Sequence, residues 1–281
     1  MAVTGAAGML GQEVCRSAPQ WVTLACLTRA DGDLTVAAQA RRALQSAGPE
    51  IIIHCAAWTD VDGATRDPEA AWQANAVATE HVVEIAAELD ARLLYLSTDY
   101  VFSGADGPYV ESDAPSPINP YGESKLAGER AAAELPAHLI VRTQWLYGPG
   151  GRNFVEAILD AARQGRPLRV VENEHGCPTY APDLAEALWQ LLQTEARGVV
   201  HVVNQGVCSR LELARAALEE AGLDGVEVTG IASEQWPSPT RRPLNAVLAS
   251  ERLDELGLSP LRPWQEALRD YVAVLRRRWQ Q

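Results

Sequence analysis

Residues 2–11 read AVTGAAGMLG, a short apolar segment followed by a glycine-rich turn and the start of a helical stretch. Glycines let the backbone approach a pyrophosphate, and the N-terminus of a helix favours its negative charge. The glycines follow the spacing Gly-x-x-Gly-x-x-Gly, which differs from the Gly-x-Gly-x-x-Gly of many dinucleotide-binding folds. The segment therefore predicts a phosphate cradle, although a tight turn without a ligand would share this pattern. The strand before it is shorter than the about five or six residues usual for a parallel sheet.

Beyond this turn, apolar strands alternate with helical segments up to residue 150. Strands are predicted at 22–27, 51–54, 92–97 and 138–143, and helices up to 18, up to 47, and at 68–89 and 120–135. This alternation predicts an α/β fold with a doubly wound parallel sheet. Later elements are less regular: helices near 154–164, 182–194, 209–222 and 264–278, and strands near 168–171, 199–203 and 226–231. We expect a dinucleotide-binding Rossmann domain at 1–150 and a smaller, mainly substrate-binding part at 151–281, interleaved with the sheet.

The segment after the second predicted strand is where the adenosine end of a dinucleotide would lie. An acidic residue there suits the ribose hydroxyls of NAD, whereas an arginine accommodates the 2′-phosphate of NADP. Arg29 stands there with no acid in the two preceding positions, which favours NADP, although a solvated surface arginine is an equal alternative. Asp33 and Leu34 are predicted to flank the adenine. The small residues Ala56 and Ala57, after the third strand, suit a backbone pressed against a cofactor.

Residues 119–125, NPYGESK, contain the only lysine of the chain, Lys125, while the other 23 basic residues are arginines. Asn119 can cap a helix, and Pro120 suits its first position. Residues four apart share a helix face, so Tyr121 and Lys125 are predicted to point the same way. A nearby cation would lower the tyrosine pKa and make it an acid or base near neutral pH. An ordinary amphipathic helix would carry the same pair. The compact ammonium group suits a place where the arginine fork does not fit.

Composition limits the possible functions. The 281 residues, 47% hydrophobic, allow a sizeable core in one large or two small domains. No apolar run approaches the about 18 residues of a membrane span, and no signal region precedes the glycine turn. Five scattered cysteines without a Cys-x-x-Cys pair indicate reduced thiols in a cytoplasmic protein rather than disulfides or zinc. The formal net charge of −13 argues against a nucleic-acid partner.

Six motifs occur in order along almost the whole chain. They are the glycine turn at 5–11, STDYVF at 97–102, YGxSKxxGE at 121–129, RTxW at 142–145, GxPT at 176–179 and RRP at 241–243. In these motifs the sequence resembles the extended short-chain dehydrogenase/reductase superfamily, and most closely its dTDP-4-dehydrorhamnose reductase family. The only two phenylalanines, Phe102 and Phe154, fall at matching positions.

The resemblance implies NAD(P)H-dependent reduction of the C4 ketone of a dTDP-4-dehydro-6-deoxyhexose, in the usual case giving dTDP-L-rhamnose. Tyr121 would protonate the carbonyl oxygen, Thr98 would hydrogen-bond it, and Lys125 would hold the nicotinamide ribose. The cofactor, expected to be NADPH at least as readily as NADH, would contact Gly5, Gly8, Met9, Leu10, Arg29, Asp33, Leu34, Ala56, Ala57, Tyr121 and Lys125. The dTDP-sugar would contact Thr59, Val61, Asp99, Tyr100, Trp145, Asn153, Glu174 and Arg241.

Related activities on the same scaffold remain alternatives. Sugar-nucleotide dehydratases place an Asp-Glu pair after the threonine, whereas here Asp99 is followed by Tyr100. Epimerases share the tyrosine and the lysine, so this alternative stays open. A non-catalytic NADP-binding subunit, resembling the regulatory subunit of methionine adenosyltransferase, also stays open. Oxidation of the cofactor by a dTDP-4-keto sugar would separate an enzyme from such a subunit.

The chain also departs from the family pattern. Glu174 stands where glutamine is common, and His54 and Cys55 replace Asn-Ala, which leaves the exact sugar open. Some members are described as joining two chains through a metal held by three acids. Only Glu13 matches this set, because the other two positions hold Pro182 and Val274. We therefore predict catalysis without a metal, by a monomer or weak homodimer.

Overall fold

The computed structural model describes residues 1–280 and is built around six parallel strands. The strands of the chain are β1 Ala2–Thr4, β2 Ala25–Leu27, β3 Ile51–His54, β4 Arg92–Thr98, β5 His138–Thr143, β6 Leu146–Tyr147, β7 Leu168–Val171, β8 His175–Gly176, β9 Thr179–Tyr180, β10 Gly198–His201, β11 Asn204–Gln205, β12 Cys208–Ser209, β13 Val228–Ile231 and β14 Leu261–Pro263. The main sheet has the order β2-β1-β3-β4-β5-β10. The doubly wound parallel sheet predicted from the sequence is confirmed.

Helices cover both faces of this sheet and form most of the later part. They are α1 Met9–Arg16, α2 Ala37–Ala47, α3 Val61–Arg66, α4 Pro68–Trp72, α5 Ala78–Glu88, α6 Pro120–Ala133, α7 Phe154–Arg163, α8 Ala181–Leu191, α9 Arg210–Ala221, α10 Arg252–Glu255 and α11 Trp264–Trp279. A π-helix at Gln73–Val77 joins α4 to α5, and short 3₁₀ turns lie at Asp99–Val101 and Ser233–Gln235. None of the helices in residues 1–280 combines the length and hydrophobicity needed to cross a bilayer.

The strand order places a ligand crevice at the carboxyl ends of β1 and β3. The chain winds from β1 outward to β2 and then back past β1 to β3, so the strand order reverses between β1 and β3. Open α/β sheets bind ligands outside the carboxyl ends of the strands at such a point. Strand β1 has only three residues, as predicted, and Thr4 at its end lies opposite His54 of β3. The glycine turn therefore begins at the level where β3 ends.

The later part of the chain contributes both a separate core and a strand to the main sheet. Helices α7, α9 and α11 pack on one another around a cluster that includes Leu159, Ala214 and Tyr271. Strands β7 and β13 pair in parallel beside them. Strand β10 instead extends the main sheet by pairing with β5. The two parts thus share a sheet.

The cysteines differ from the expectation. Cys15, near the end of α1, is joined to Cys26, in β2, by a disulfide with a Cα–Cα distance of 6.4 Å. The prediction of reduced thiols is therefore wrong for this pair, because the β-α-β turn brings α1 beside β2. Cys55, Cys177 and Cys208 are free.

Candidate active site

The glycine turn is packed so closely that side chains are excluded from it. Gly5 has φ +69°, and a Cβ atom there would lie 2.6 Å from the Ala56 backbone nitrogen. A Cβ atom on Gly11 would overlap the Gly5 carbonyl oxygen. Gly8 donates its N–H to that oxygen at 2.9 Å and immediately precedes α1. The turn, the loop after β3 and the start of α1 therefore form the cradle that a pyrophosphate requires.

The other predicted cofactor residues near this cradle differ from one another in how far they are buried. Met9 and Ala57 are half-buried, and Met9 lies against Gly151. Leu10 is buried in the core between α1 and the sheet, so only its backbone N–H is available to a phosphate.

The residues predicted to meet the adenosine end lie together at the surface. The Arg29 side chain is 86% exposed, and its Nη2 is 2.8 Å from Asp33 Oδ2. The pKa of Asp33 is lowered to about 2, first by the Thr35 hydroxyl and then by Arg29. Leu34 is half-buried, with its carbonyl oxygen 2.8 Å from His81 Nδ1. Because Asp33 already neutralises Arg29, the arginine is not a free cation for a phosphate.

Helix α6 begins as its sequence predicts. The Asn119 side chain accepts a hydrogen bond from the Gly122 N–H at 2.9 Å, and Pro120 is the first helical residue. Gly122 and Gly128 allow the helix to approach its neighbours, because a Cβ atom on either would overlap Tyr100 or Tyr95. The helix is thereby held against β4.

Lys125 is fixed by β4. Its Nζ donates to the Leu96 carbonyl at 2.7 Å and lies 4.2 Å from the centre of the Tyr95 ring. Burial lowers the lysine pKa to about 7, although the Glu129 carboxylate opposes this shift. The contacts describe a slot for a compact ammonium group.

Tyr121 has a raised pKa, so the prediction that Lys125 lowers it is wrong for this structure. Burial is the main cause, the neighbouring Asp99 and Tyr100 add to it, and a hydrogen bond with Thr98 opposes it. The phenolate loses more by leaving water than it gains from the single hydrogen bond. Tyr121 therefore remains a protonated phenol at neutral pH, which is the form that can donate a proton.

Thr98 and Asp99 form a buried polar group at the end of β4. Thr98 Oγ1 donates to Asp99 Oδ1 at 3.0 Å and accepts from the Tyr100 N–H at 3.3 Å. Burial raises the pKa of Asp99 to about 6, with hydrogen bonds from Gln144 and Thr98 opposing this shift. Gln144 Nε2 lies 2.8 Å from Asp99 Oδ2, and Gln144 Oε1 accepts from the Cys177 N–H at 2.7 Å. Sequence reasoning missed Gln144, although it stands inside the RTxW motif.

A cavity of about 760 Å³ is lined in part by Glu174, Trp236, Arg241 and Arg242, and Arg242 connects it to Tyr100, next to Asp99. Arg242 is the better anchored of the two adjacent arginines. Its guanidinium forms an ion pair with Asp62 at 3.0 Å and donates to the Tyr100 hydroxyl at 3.3 Å. Arg241 is exposed, and its carbonyl accepts from Asn119. The sequence indicated the arginines but not their different orientation.

Trp145 forms another part of the predicted substrate site. Its backbone has φ +46°, a rare conformation for a bulky residue that such sites can retain for function. The guanidinium carbon of Arg210 lies 3.6 Å from the centre of its ring, and Arg210 pairs with Glu174 at 3.7 Å. The sequence gave no signal for Arg210, because its helix brings it here from outside every motif.

Four further positions complete the placement of the predicted residues. Thr59 is exposed, whereas Val61 is half-buried and packs with the Tyr100–Tyr121 cluster. The Asn153 side chain caps α7 and donates to the Tyr271 hydroxyl at 2.7 Å, so its polar atoms are already engaged. His54 is buried between Thr4 and Thr79 within the sheet region, where burial lowers its pKa to about 3. The presence of His54 in place of the usual asparagine therefore affects packing within the sheet and not the lining of the sugar cavity.

Comparisons with known proteins agree with this arrangement. The family model described as "RmlD substrate binding domain" matches residues 1–277. The chain is 40% identical over 279 residues to dTDP-4-dehydrorhamnose reductase of Mycolicibacterium smegmatis, covering 97% of this chain and 85% of that protein. The chain belongs to the dTDP-4-dehydrorhamnose reductase family. The resemblance drawn from the motifs is confirmed.

Solved structures of the family superpose over nearly the whole chain. The Bacillus anthracis reductase, in complex with NADP, has a TM-score of 0.92 at 34% identity and covers 96% of this chain and 97% of that chain. The Clostridium acetobutylicum member has a TM-score of 0.94 at 32% identity, covering 98% and 99%. A Thermus thermophilus UDP-glucose 4-epimerase, at 21% identity and a TM-score of 0.80 over 98% of each chain, shows only the shared fold.

Glu13, the one match to the metal-binding acids described for some members, has a different partner here. It is buried on α1 and forms an ion pair with Arg16. Pro182 and Val274 offer no side-chain ligand. Catalysis without a metal stays a prediction.

Proposed function

We propose that the protein reduces the C4 ketone of a dTDP-4-dehydro-6-deoxyhexose with NADPH, with dTDP-4-dehydro-L-rhamnose as the first candidate. The observation that carries this proposal is the buried group of Thr98, Tyr121 and Lys125 beside the glycine cradle. A protonated phenol, a hydroxyl and a compact ammonium group are the groups that carbonyl reduction requires at this position. Relatives named dTDP-4-dehydrorhamnose reductase support the assignment.

The residues around the cradle fit a dinucleotide. The excluded Cβ positions at Gly5 and Gly11 hold the turn close to Ala56 and to the start of α1, so that its backbone can approach a pyrophosphate. We assign Gly8, Met9 and Leu10 to the pyrophosphate, and Ala56 and Ala57 to the loop that faces the cofactor. Arg29, Asp33 and Leu34 are assigned to its adenosine end. When bound, NADPH supplies the hydride, and the B. anthracis relative in complex with NADP supports this choice.

Tyr121 is the proton donor in this mechanism. Its raised pKa keeps the phenol protonated, so the proton is available as the carbonyl oxygen gains charge. Thr98 has a single hydroxyl proton, which it donates to Asp99. To stabilise the carbonyl oxygen it rotates away from Asp99, and Asp99 is then free to accept a hydrogen bond from the sugar. Lys125 uses one N–H for Leu96 and retains two for the nicotinamide ribose and Tyr121.

The substrate is assigned to the cavity and to residues 151–281, which provide most of its outer wall. Tyr100, Trp145, Glu174 and Arg241 would contact the dTDP-sugar, with Thr59 and Val61 on the opposite side. Asn153 would act through its cap on α7, since its amide is already bonded. We further propose a cytoplasmic monomer or weak homodimer that does not bind nucleic acid.

The test supplies dTDP-4-keto-6-deoxyglucose and NADPH, with and without the 3,5-epimerase, and identifies the product. We expect NADPH oxidation and dTDP-L-rhamnose when the epimerase is present. Oxidation without the epimerase would instead indicate a reductase of the unepimerised sugar, the activity named for a Streptomyces niveus relative that is 36% identical over 279 residues. Sugar isomerisation without NADPH oxidation would indicate an epimerase. NADPH binding without any turnover would indicate a regulatory subunit.

A further inference from the structure

Arg210 and Glu174 form an ion pair whose side-chain polar atoms make no hydrogen bond within residues 1–280. The nearest approach between their charged atoms is 3.7 Å, from Arg210 Nε to Glu174 Oε2, which is too long for a hydrogen bond. Within residues 1–280, the guanidinium donates no hydrogen bond and the carboxylate accepts none. Buried polar side-chain atoms with no partner in this range are Ser97 Oγ, Thr143 Oγ1 and Trp264 Nε1. The polar atoms of the pair therefore keep some exposed surface, and Glu174 lines the cavity.

The backbone holds the two residues rigidly despite their separation in sequence. The Arg210 N–H donates to the Glu174 carbonyl at 3.2 Å, and β12 pairs with β8 directly alongside. A capping box formed by Ser209 and Glu212 fixes the first turn of α9, which begins at Arg210. The guanidinium carbon also lies over the Trp145 ring, 3.6 Å from its centre, and 5.2 Å from the centre of the Phe154 ring. The pair is thus placed before any ligand arrives, which lowers the entropic cost of binding.

The surroundings of the pair assign it to the sugar rather than to the diphosphate. Burial lowers the pKa of Arg210, and the groups close enough to affect it are Tyr100, Glu174, Arg242 and Asp99. Asp99 directly follows Thr98. Glu174 lines the cavity. Arg241, which the resemblance assigns to the dTDP-sugar, is exposed at that cavity.

The chemistry of the substrate class then limits what the pair can bind. A 4-keto-6-deoxyhexose linked to a nucleotide has free hydroxyls only at C2 and C3, because C4 is a ketone and C6 is a methyl group. A carboxylate accepts from hydroxyls and a guanidinium donates to them. We propose that Arg210 and Glu174 recognise the C2–C3 diol of the sugar and make the enzyme select it over 2-deoxy substrates.

The proposal rests on the proposed function and specifies its substrate. A site built to bond a hydroxyl leaves its own polar groups unpaired when the hydroxyl is missing, and such sites discriminate strongly. We expect wild-type kcat/KM to favour the 2-hydroxy over the 2-deoxy dTDP-4-keto sugar by about 100-fold or more. One curated relative, named as a probable dTDP-4,6-dihydroxy-2-methyloxan-3-one 4-ketoreductase, is 36% identical over 273 residues. Different sugars are thus named within the family.

The experiment compares both sugars for the wild type and for the double variant Glu174→Gln/Arg210→Met. The double change removes both charges together, and methionine retains apolar contact with Trp145. We expect its preference to fall to about 10-fold or less, mainly through loss of the 2-hydroxy substrate. Arg215→Met, an exposed position on α9, is the matched control and should keep the wild-type preference. Thermal unfolding checks that all variants are folded.

Four outcomes would overturn the proposal. Equal wild-type kcat/KM for the two sugars would refute diol selection and leave the reductase assignment intact. An unchanged preference in the double variant would remove the pair from recognition. A weakened inhibition constant for dTDP in the double variant, with the sugar preference retained, would assign Arg210 to the diphosphate. Wild-type turnover of neither sugar would instead refute the proposed function, and with it this inference.

Discussion

Two of the arginine–carboxylate pairs in the candidate active site differ in sequence separation and in burial. Arg29 and Asp33 are four residues apart, and the arginine side chain is 86% exposed. Arg210 and Glu174 come from separate elements, and their side chains are only 15% and 8% exposed. Water weakens the electrostatic interaction of the exposed pair, whereas the buried pair is screened less and its side chains are held in place. Substitutions in the buried sugar region should therefore cost far more than substitutions at the exposed adenosine end.

The largest effect is expected for Tyr121→Phe. The change removes the only phenolic proton donor assigned to the reaction and retains the ring that packs against Tyr100. Loss of general acid catalysis should lower kcat by about 10³-fold, while NADPH binding measured by fluorescence stays within a few-fold of wild type. Retention of substantial kcat would show that another group donates the proton.

Lys125→Arg should follow, with kcat/KM lowered by about 10²-fold although the charge is kept. The slot formed by the Leu96 carbonyl and the Tyr95 ring fits an ammonium group, and the guanidinium must displace the ribose or Tyr121. Arg130→Lys, the reverse exchange at an exposed position of the same helix, is the matched control and should have no effect. Circular dichroism would confirm that the fold survives. Near-normal activity of Lys125→Arg would mean that the single lysine is an accident of composition.

Asp99→Asn should make the stability of the protein less dependent on pH while impairing activity. Burial raises the pKa of Asp99 from 3.8 to about 6, so the folded state holds this proton more tightly than the unfolded state. The stability contributed by the protonated form is present below about pH 4 and is lost as the pH rises through about 6. The variant avoids that loss. Its free energy of unfolding relative to wild type should therefore be about 2 kcal/mol more favourable at pH 8 than at pH 4. Urea unfolding at both pH values measures this, and a pH-independent difference would contradict it.

Arg29→Ala should have a small effect, because Asp33 neutralises the arginine before any phosphate arrives. We expect NADPH to be used at least as well as NADH by the wild type. The ratio of kcat/KM for the two cofactors should shift toward NADH by less than about 10-fold in the variant, since an exposed charge pair contributes little. An unchanged ratio would remove Arg29 from cofactor selection, and a shift of several hundred-fold would contradict the comparison between the two regions.

Chelation should change nothing. Treatment with EDTA is expected to leave kcat and KM unaltered, because Glu13 is paired with Arg16 and an isolated carboxylate binds magnesium weakly. Loss of turnover that Mg²⁺ restores would overturn this expectation.

The sequence predicts those parts of the site that depend on neighbouring residues. The glycine turn, the Asn119 cap and the shared face of Tyr121 and Lys125 are all local patterns, and the fold built on them is confirmed. Gln144, Arg210 and the orientation of Arg242 depend on contacts between distant segments, which no local spacing encodes. The raised pKa of Tyr121 was missed for a related reason: a cation four residues away is visible in the sequence, but the depth of burial is not.

The seclusion of Lys125 makes it a natural reporter. It carries the only ε-amino group of the chain, and it is only 3% exposed. An amine-directed acylating reagent would find no other lysine to modify. The rate at which that one side chain is labelled would therefore follow the opening and filling of the cleft, without any engineered probe.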